Sequence, residues 1–174
     1  MPEIGTTALL LPVPGAEALL REVAAAHPAA VRAGVPAHVT VLYPFLPVSE
    51  VDDAVLARLR GLFAAAPPPE VSFALPAPEG GFVALRPEPL SPVRQLVRRV
   101  RSCWPHLVPY RGEHGPDVDP HLTVAMDLDP AEARDLAAGL SGRMPPPARL
   151  DEAWLTAFDG EWSVRERMPL GRAQ

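Results

Sequence analysis

The sequence has no lysine and no asparagine, a single isoleucine (Ile4) and a single cysteine (Cys103). All 16 basic residues are therefore arginine. Ala, Arg, Gly, Pro and Val dominate, as in a G+C-rich coding sequence, so the missing lysine has one functional consequence. Schiff-base chemistry needs a lysine amine and is excluded. One cysteine excludes an internal disulfide and a cysteine-rich zinc site. The longest early apolar run, at 8–13, is too short for a membrane span. No basic segment precedes it, so no secretory signal is expected and the expected location is cytoplasmic. Positive charge is also in deficit, 16 basic against 21 acidic residues, for a net charge of −5. Proteins that hold long nucleic acid by many phosphate contacts are usually basic, so no such partner is expected. A small local basic cleft for one or two phosphates is compatible with that charge.

What remains is a globular composition, 48% hydrophobic and 21% charged. At about 150 residues per domain, 174 residues predict one domain with its own core. The 24 prolines mostly sit at turn positions and punctuate the fold. An apolar run at 4–13 before Pro14-Gly15 predicts a strand, and a helix follows from Ala16 to near His27. A β-branched and aromatic run predicts a strand at 38–45, closing at Pro44. Ser49 reads as the N-cap of a helix carrying Val55, Leu59, Leu62 and Phe63 at helical spacing. Strands are expected at 71–75 and 81–86. Ser91 reads as the cap of the next helix, with Pro92 at its first position. Val93, Leu96, Val97 and Val100 form its apolar stripe, and Arg94, Arg98 and Arg101 lie on another face, read as solvated. A Gly, Pro and Asp-rich loop covers 106–120. A strand at 121–126 and a helix from Asp129-Pro130 to about Leu140 follow. Strands at 149–158 and 162–168 are joined near Asp159-Gly160, an Asp-Gly turn signal.

Two segments share one pattern, His38-Val39-Thr40-Val41 and His121-Leu122-Thr123-Val124. The chain has five His and five Thr in all, so two of each are used here. Side chains at i and i+2 of a strand share a face. His38 and Thr40 therefore point one way and Val39 and Val41 the other, and the second copy repeats this. Two such strands facing one cleft put two imidazoles and two hydroxyls around a small ligand. That set suits displacement at phosphorus. One imidazole takes a proton from the nucleophile, and the other protonates the leaving oxygen. Threonine hydroxyls donate to the non-bridging oxygens. A protonated imidazole supplies the positive charge, so no metal is required.

Other readings sit beside this one. A mixed site of the two motif histidines with His114 and Asp119 is a metal alternative, although its spacing matches no compact metal motif. In the 106–120 loop, Arg111 is a candidate phosphate ligand and Tyr110 a candidate base-stacking residue. A solvated loop is the equal alternative. Continued alternation puts Tyr43 and Phe45 on the core face. Trp154 and Trp162 read as core or cleft wall, Cys103 as an inert apolar residue, His27 as solvated and His106 as a helix-end residue.

The strings Pro-Ala-His-Val-Thr-Val-Leu-Tyr-Pro-Phe at 36–45 and Pro-His-Leu-Thr-Val-Ala at 120–125, 83 residues apart from His to His, resemble the 2H phosphoesterase superfamily. Within it, the chain is similar to the 2′-5′ RNA ligase-like (LigT-type) proteins, and the resemblance spans nearly all of residues 1–174. It implies an α+β fold of two pseudo-symmetric lobes. Two antiparallel sheets would line a central cleft, with helices outside. It also implies action on 2′,3′-cyclic phosphate or 2′-5′ linked RNA ends or nucleotides, with hydrolysis of the cyclic phosphate leaving a 2′-phosphate. The catalytic residues carried over are His38, Thr40, His121 and Thr123, with His121 as base and His38 as acid. The implied protein is a monomer with no cofactor, whose partner is a nucleotide or RNA terminal phosphate. A non-catalytic RNA-end or nucleotide-binding module and a 2′-5′ RNA ligase are the alternatives on the same scaffold.

Overall fold

Eight strands and four α-helices build the computed structural model, which describes residues 1–171. In chain order they are β1 (Thr7–Pro12), α1 (Glu17–Ala26), β2 (His38–Leu42), α2 (Asp53–Ala64), β3 (Glu70–Ala74), β4 (Val83–Glu88), α3 (Ser91–Cys103), β5 (Leu122–Ala125), α4 (Pro130–Leu140), β6 (Ala148–Arg149), β7 (Glu152–Phe158) and β8 (Trp162–Pro169). This is an α+β fold. The strands run in the order β6-β3-β4-β5-β2-β1-β7-β8, every neighbouring pair antiparallel. The expectation of two sheets is thus corrected to one eight-stranded sheet. The reason is the join between β2 and β5, the two motif strands, which pair directly at Val39 and Leu122. Each motif strand leads its own set of four.

The registers align Leu85, Leu122, Val39 and Leu11 in one row across β4, β5, β2 and β1. All four are fully buried, at 0% exposure. Burying such a side chain contributes about 1.5–3 kcal/mol. A one-residue slip would turn this row out and drive the imidazoles into the core, so the row locks the face on which the histidines emerge. Helices complete the packing: α3 lies against β2 and α2, α2 against β8, α1 against β5 and α4 against β4. Among the described residues no helix is long and apolar enough to cross a membrane.

Several local expectations are revised. The cap of α2 is Asp52, whose carboxylate accepts from the Val55 N–H at 2.8 Å. Ser49 lies instead in the short 3₁₀ turn Val48–Glu50. Ser91 is already helical, because Leu90 before it adopts αR geometry and accepts from the Arg94 N–H. Asp129 does cap α4, in a capping box with Glu132. The expected strand at 149–158 breaks into β6 and β7, since the Leu150 N–H is drawn to the Pro69 carbonyl.

The expected strand at 38–45 ends at Leu42, and its last residues carry an irregularity. Thr40 faces Leu10 on β1 but Leu42 faces Leu9, so Val41 is an extra residue, and both Val41 and Leu42 are buried. Such a bulge shifts the alternation by one residue. Phe45 is in the core as expected, but Tyr43 comes round to the cleft side.

The β3–β4 connection meets the segment after β5 at Gly81. Leu128 donates its N–H to the Gly81 carbonyl at 3.2 Å, and a Cβ on Gly81 would lie 2.0 Å from the Leu128 oxygen. Gly81→Ala is expected to destabilise the fold by about 3 kcal/mol through this backbone clash. Gly80→Ala, at a φ of +57° with open space around it, should cost about 1 kcal/mol. Urea denaturation of both variants checks this; equal losses would refute the tight approach.

Candidate active site

The sheet's motif face forms one side of a cleft of about 1360 Å³ that His38, Thr40, His121 and Thr123 all line. Antiparallel pairing at Val39 and Leu122 sets His38 opposite Thr123 and Thr40 opposite His121. The four side chains therefore alternate around a square. Facing Cβ atoms in such a pair are about 5 Å apart, and the diagonal between the Cβ atoms of His38 and His121 spans about 7 Å.

Both rings are held the same way. His38 Nδ1 lies 2.7 Å from the Pro36 carbonyl oxygen, and His121 Nδ1 lies 2.8 Å from that of Asp119. A carbonyl oxygen can only accept, so each neutral ring carries its proton on Nδ1 and leaves the Nε2 lone pair unclaimed. Burial at the cleft floor pushes the His38 pKa down from 6.5 to about 4. The Pro36 carbonyl opposes that shift, and the charges of Arg32 and His121 add to it. The rings of Phe82 and His121 meet at right angles, with centroids 5.4 Å apart and planes at 87°.

The family profile described as the 2′-5′ RNA ligase superfamily matches residues 11–162. The chain belongs to that superfamily. Its fold is shared with solved structures at low sequence identity. TT0787 of Thermus thermophilus aligns with a TM-score of 0.63 and 18% identity, covering 97% of this chain and 100% of that one. Escherichia coli LigT, solved in complex with 3′-AMP, aligns at 0.59 and 19% identity over 97% and 99% of the two chains. A third structure, described as a phosphoesterase, aligns at 0.53 and 18% identity over the same shares. Among curated protein sequences none matches this chain.

In this superfamily member the 106–120 loop is drawn to the cleft. Its 3₁₀ turn, Pro109–Gly112, carries Tyr110 and Arg111 in left-handed conformations, at φ of 50° and 54°. Each costs about 1–2 kcal/mol in a residue with a Cβ. The Tyr110 N–H donates to the Tyr43 carbonyl at 2.6 Å. Tyr110 also packs near Tyr43 at 5.9 Å and His114 at 5.5 Å, and Tyr43 lies 6.2 Å from Trp162. Burial pushes the Tyr110 phenol up, and the Thr40 hydroxyl beside it pulls the other way. Tyr110 and Arg111 both line the cleft, Arg111 being exposed.

Of the α3 arginines expected as a solvated face, Arg98 is exposed, whereas Arg94 and Arg101 secure this loop. Arg94 meets Asp119 at 2.6 Å and Arg101 meets Asp117 at 2.8 Å. Trp162 is cleft wall, whereas Trp154 lies under the Arg167 guanidinium at 4.4 Å and donates to Glu152. His114 and Asp119 join no group of three or more His, Cys, Asp or Glu among the described residues. His27, expected to be solvated, is half-buried where its N–H closes α1 on Val23. Cys103 packs against the core. Arg32 and Phe82 are cleft residues that sequence reasoning missed. Neither lies in a motif or in one of the eight strands, and tertiary packing brings them to the cleft.

The lowered His38 pKa has a consequence for stability. The unfolded chain takes up this proton near pH 6.5 and the folded chain only near pH 4, so between those values the unfolded state binds more protons. The stabilisation is whole above 6.5 and is lost as pH falls toward 4. Relative to His38→Gln, the wild type is expected to lose roughly 2 kcal/mol between pH 7 and 4, discounted for the ring's opening to the cleft. Denaturant titrations of both proteins across that range measure the difference; parallel curves would contradict it.

Proposed function

We propose that this chain is a cytoplasmic, monomeric, metal-independent phosphodiesterase. Its substrates are 2′,3′-cyclic phosphate or 2′-5′ linked ends of RNA or nucleotides. The observation that carries the proposal is the matched anchoring of the two rings. It leaves two free Nε2 atoms on the diagonal of a square whose other corners are hydroxyls. A phosphate between them meets one imidazole on the side of attack and the other on the side of departure. Membership of the 2′-5′ RNA ligase superfamily supports the substrate class. So does the 3′-AMP bound in LigT.

Hydrolysis of a cyclic phosphate then proceeds in line. One Nε2 takes a proton from water as the water oxygen bonds to phosphorus. The bond from phosphorus to the ribose 3′ oxygen breaks, and the second Nε2 delivers its proton to that oxygen, leaving a 2′-phosphate. Thr40 and Thr123 donate to the non-bridging oxygens, where negative charge grows. Arg111 adds positive charge at the mouth, and Tyr110 offers a face to the base. Desolvation keeps His38 neutral at pH 7, so we assign it the base and His121 the acid. That is the reverse of the division expected from the family resemblance. Ligation of 2′-5′ ends is the same path with a 5′ hydroxyl in place of water: its oxygen bonds to phosphorus, the bond to the 3′ oxygen breaks, and the two imidazoles keep their roles.

The test is hydrolysis of 2′,3′-cyclic nucleotides and a 2′-5′ dinucleotide in excess chelator. His38→Ala and His121→Ala should each lower kcat by about 10³-fold while the chain stays folded. As base in the free enzyme, His38 predicts a kcat/KM that holds from neutral pH downward and falls only near pH 4. A kcat/KM that falls as pH rises through that value would return His38 to the acid role. A folded wild type inert on both substrate classes would defeat the proposal.

A further inference from the structure

The two histidine anchors look alike but differ in one atom. The carbonyl that accepts from His38 belongs to the peptide unit joining Pro36 and Ala37. The N–H of that same unit, on Ala37, donates to the Glu17 carboxylate at 2.6 Å. A continuous chain results: the Glu17 Oε1, the Ala37 N–H, the Pro36 carbonyl at the far side of the peptide, and the His38 Nδ1–H at 2.7 Å. At the second motif the corresponding unit joins Asp119 and Pro120. Proline has no N–H, so that chain cannot form behind His121.

We infer that Glu17 is a positioning residue for His38, acting through the Pro36–Ala37 peptide group as a remote carboxylate partner. Peptide resonance couples the two ends of the unit. A carboxylate bound to the N–H draws charge toward the carbonyl oxygen, and hydrogen bonds in series strengthen one another. The strengthened acceptor holds His38 in the Nδ1–H form and stabilises its imidazolium when Nε2 takes a proton. This is the work that a carboxylate does in direct contact with a catalytic histidine.

The surroundings favour that role. Ala37 is 1% exposed, and its own carbonyl accepts from the Val13 N–H at 2.7 Å, so the peptide cannot swing away. Glu17 is half-buried at the first position of α1. Among the described residues it forms no ion pair that would neutralise it. The other groups acting on His38 are Arg32 and His121, both of which disfavour its protonation, and the Tyr110 phenol lies beyond Thr40. Among the described residues Glu17 is therefore the one anionic group connected to the ring by hydrogen bonds.

This inference rests on the acid–base reading of His38 for its effect on turnover, but its decisive readout needs no turnover. Glu17→Gln keeps an acceptor for the Ala37 N–H and removes the charge; Glu17→Ala removes both. Nitrogen-15 NMR of the imidazoles reports the tautomer at pH 7 and the titration midpoint of each ring. Both variants should lower the His38 midpoint by about half a unit or more, with Ala the larger, and leave His121 in place. Glu17→Ala should also admit the Nε2–H tautomer of His38. Kinetically, kcat should fall about tenfold in Glu17→Ala with KM little changed, and Glu17→Gln should recover part of it. Folded variants with the wild-type tautomer and midpoint would overturn the inference, leaving Glu17 as a structural tie on Ala37. A wild type without turnover would defeat the proposed function and still leave the NMR result readable.

Discussion

A single point of strand pairing, Val39 against Leu122, is what the site depends on. It joins the two sets of four strands and sets the relative depth of the two motifs. Shifted by two residues it would still bury apolar side chains, but His38 would lose its place opposite Thr123 and the square would open. The pairing is short, and a short pairing is weak by itself. Its register is supplied by the buried row from Leu85 to Leu11, which ties it to the longer β4–β5 and β1–β2 pairings on either side. Apolar burial of the row outweighs any preference of four polar side chains for their own arrangement. The chemistry is positioned by the core beneath it.

Within that frame the two rings are equal in orientation and unequal in environment. Each is aimed by a carbonyl two residues upstream. His38 sits where desolvation resists its charge, while His121 borders an open loop and a phenylalanine ring. Pairs of titratable groups whose surroundings push them apart are suited to divide acid and base work. The residues at 37 and 120, alanine and proline, continue that inequality into the backbone.

How much of this was legible in the sequence varies by element. The motif strands were, because alternation over four residues has one solution once Val39, Val41, Leu122 and Val124 must be buried. The capping of α4 was, since Asp129, Pro130 and Glu132 all act locally. Ser49 misled because Asp52, a few positions on, offers an equally good cap and the geometry of the turn decides between them. Tyr43 misled because a bulge is a property of two paired strands, and a whole helix separates β1 from β2 in the sequence. The single sheet was hidden for the same reason: pairing of β2 with β5 is a tertiary fact. Arg94 and Arg101 read as part of a solvated face because their partners, Asp119 and Asp117, lie in a loop without periodicity.

Those arginines also bear on how an acidic chain can receive an anion. The cleft lining includes Asp117 and Asp119, close to His121, and two free carboxylates there would repel a phosphate. Arg101 and Arg94 reach across from α3 and pair with them. The pairs are exposed and contribute little to stability, within about 1 kcal/mol each. Their effect on the local field is larger in consequence, because it cancels the two carboxylates close to His121. Arg32 and Arg111 line the same cleft without ion pairs among the described residues, as do Glu79, Glu113 and Asp127, so pairing beside His121 and not a surplus of arginine is what favours an anion there.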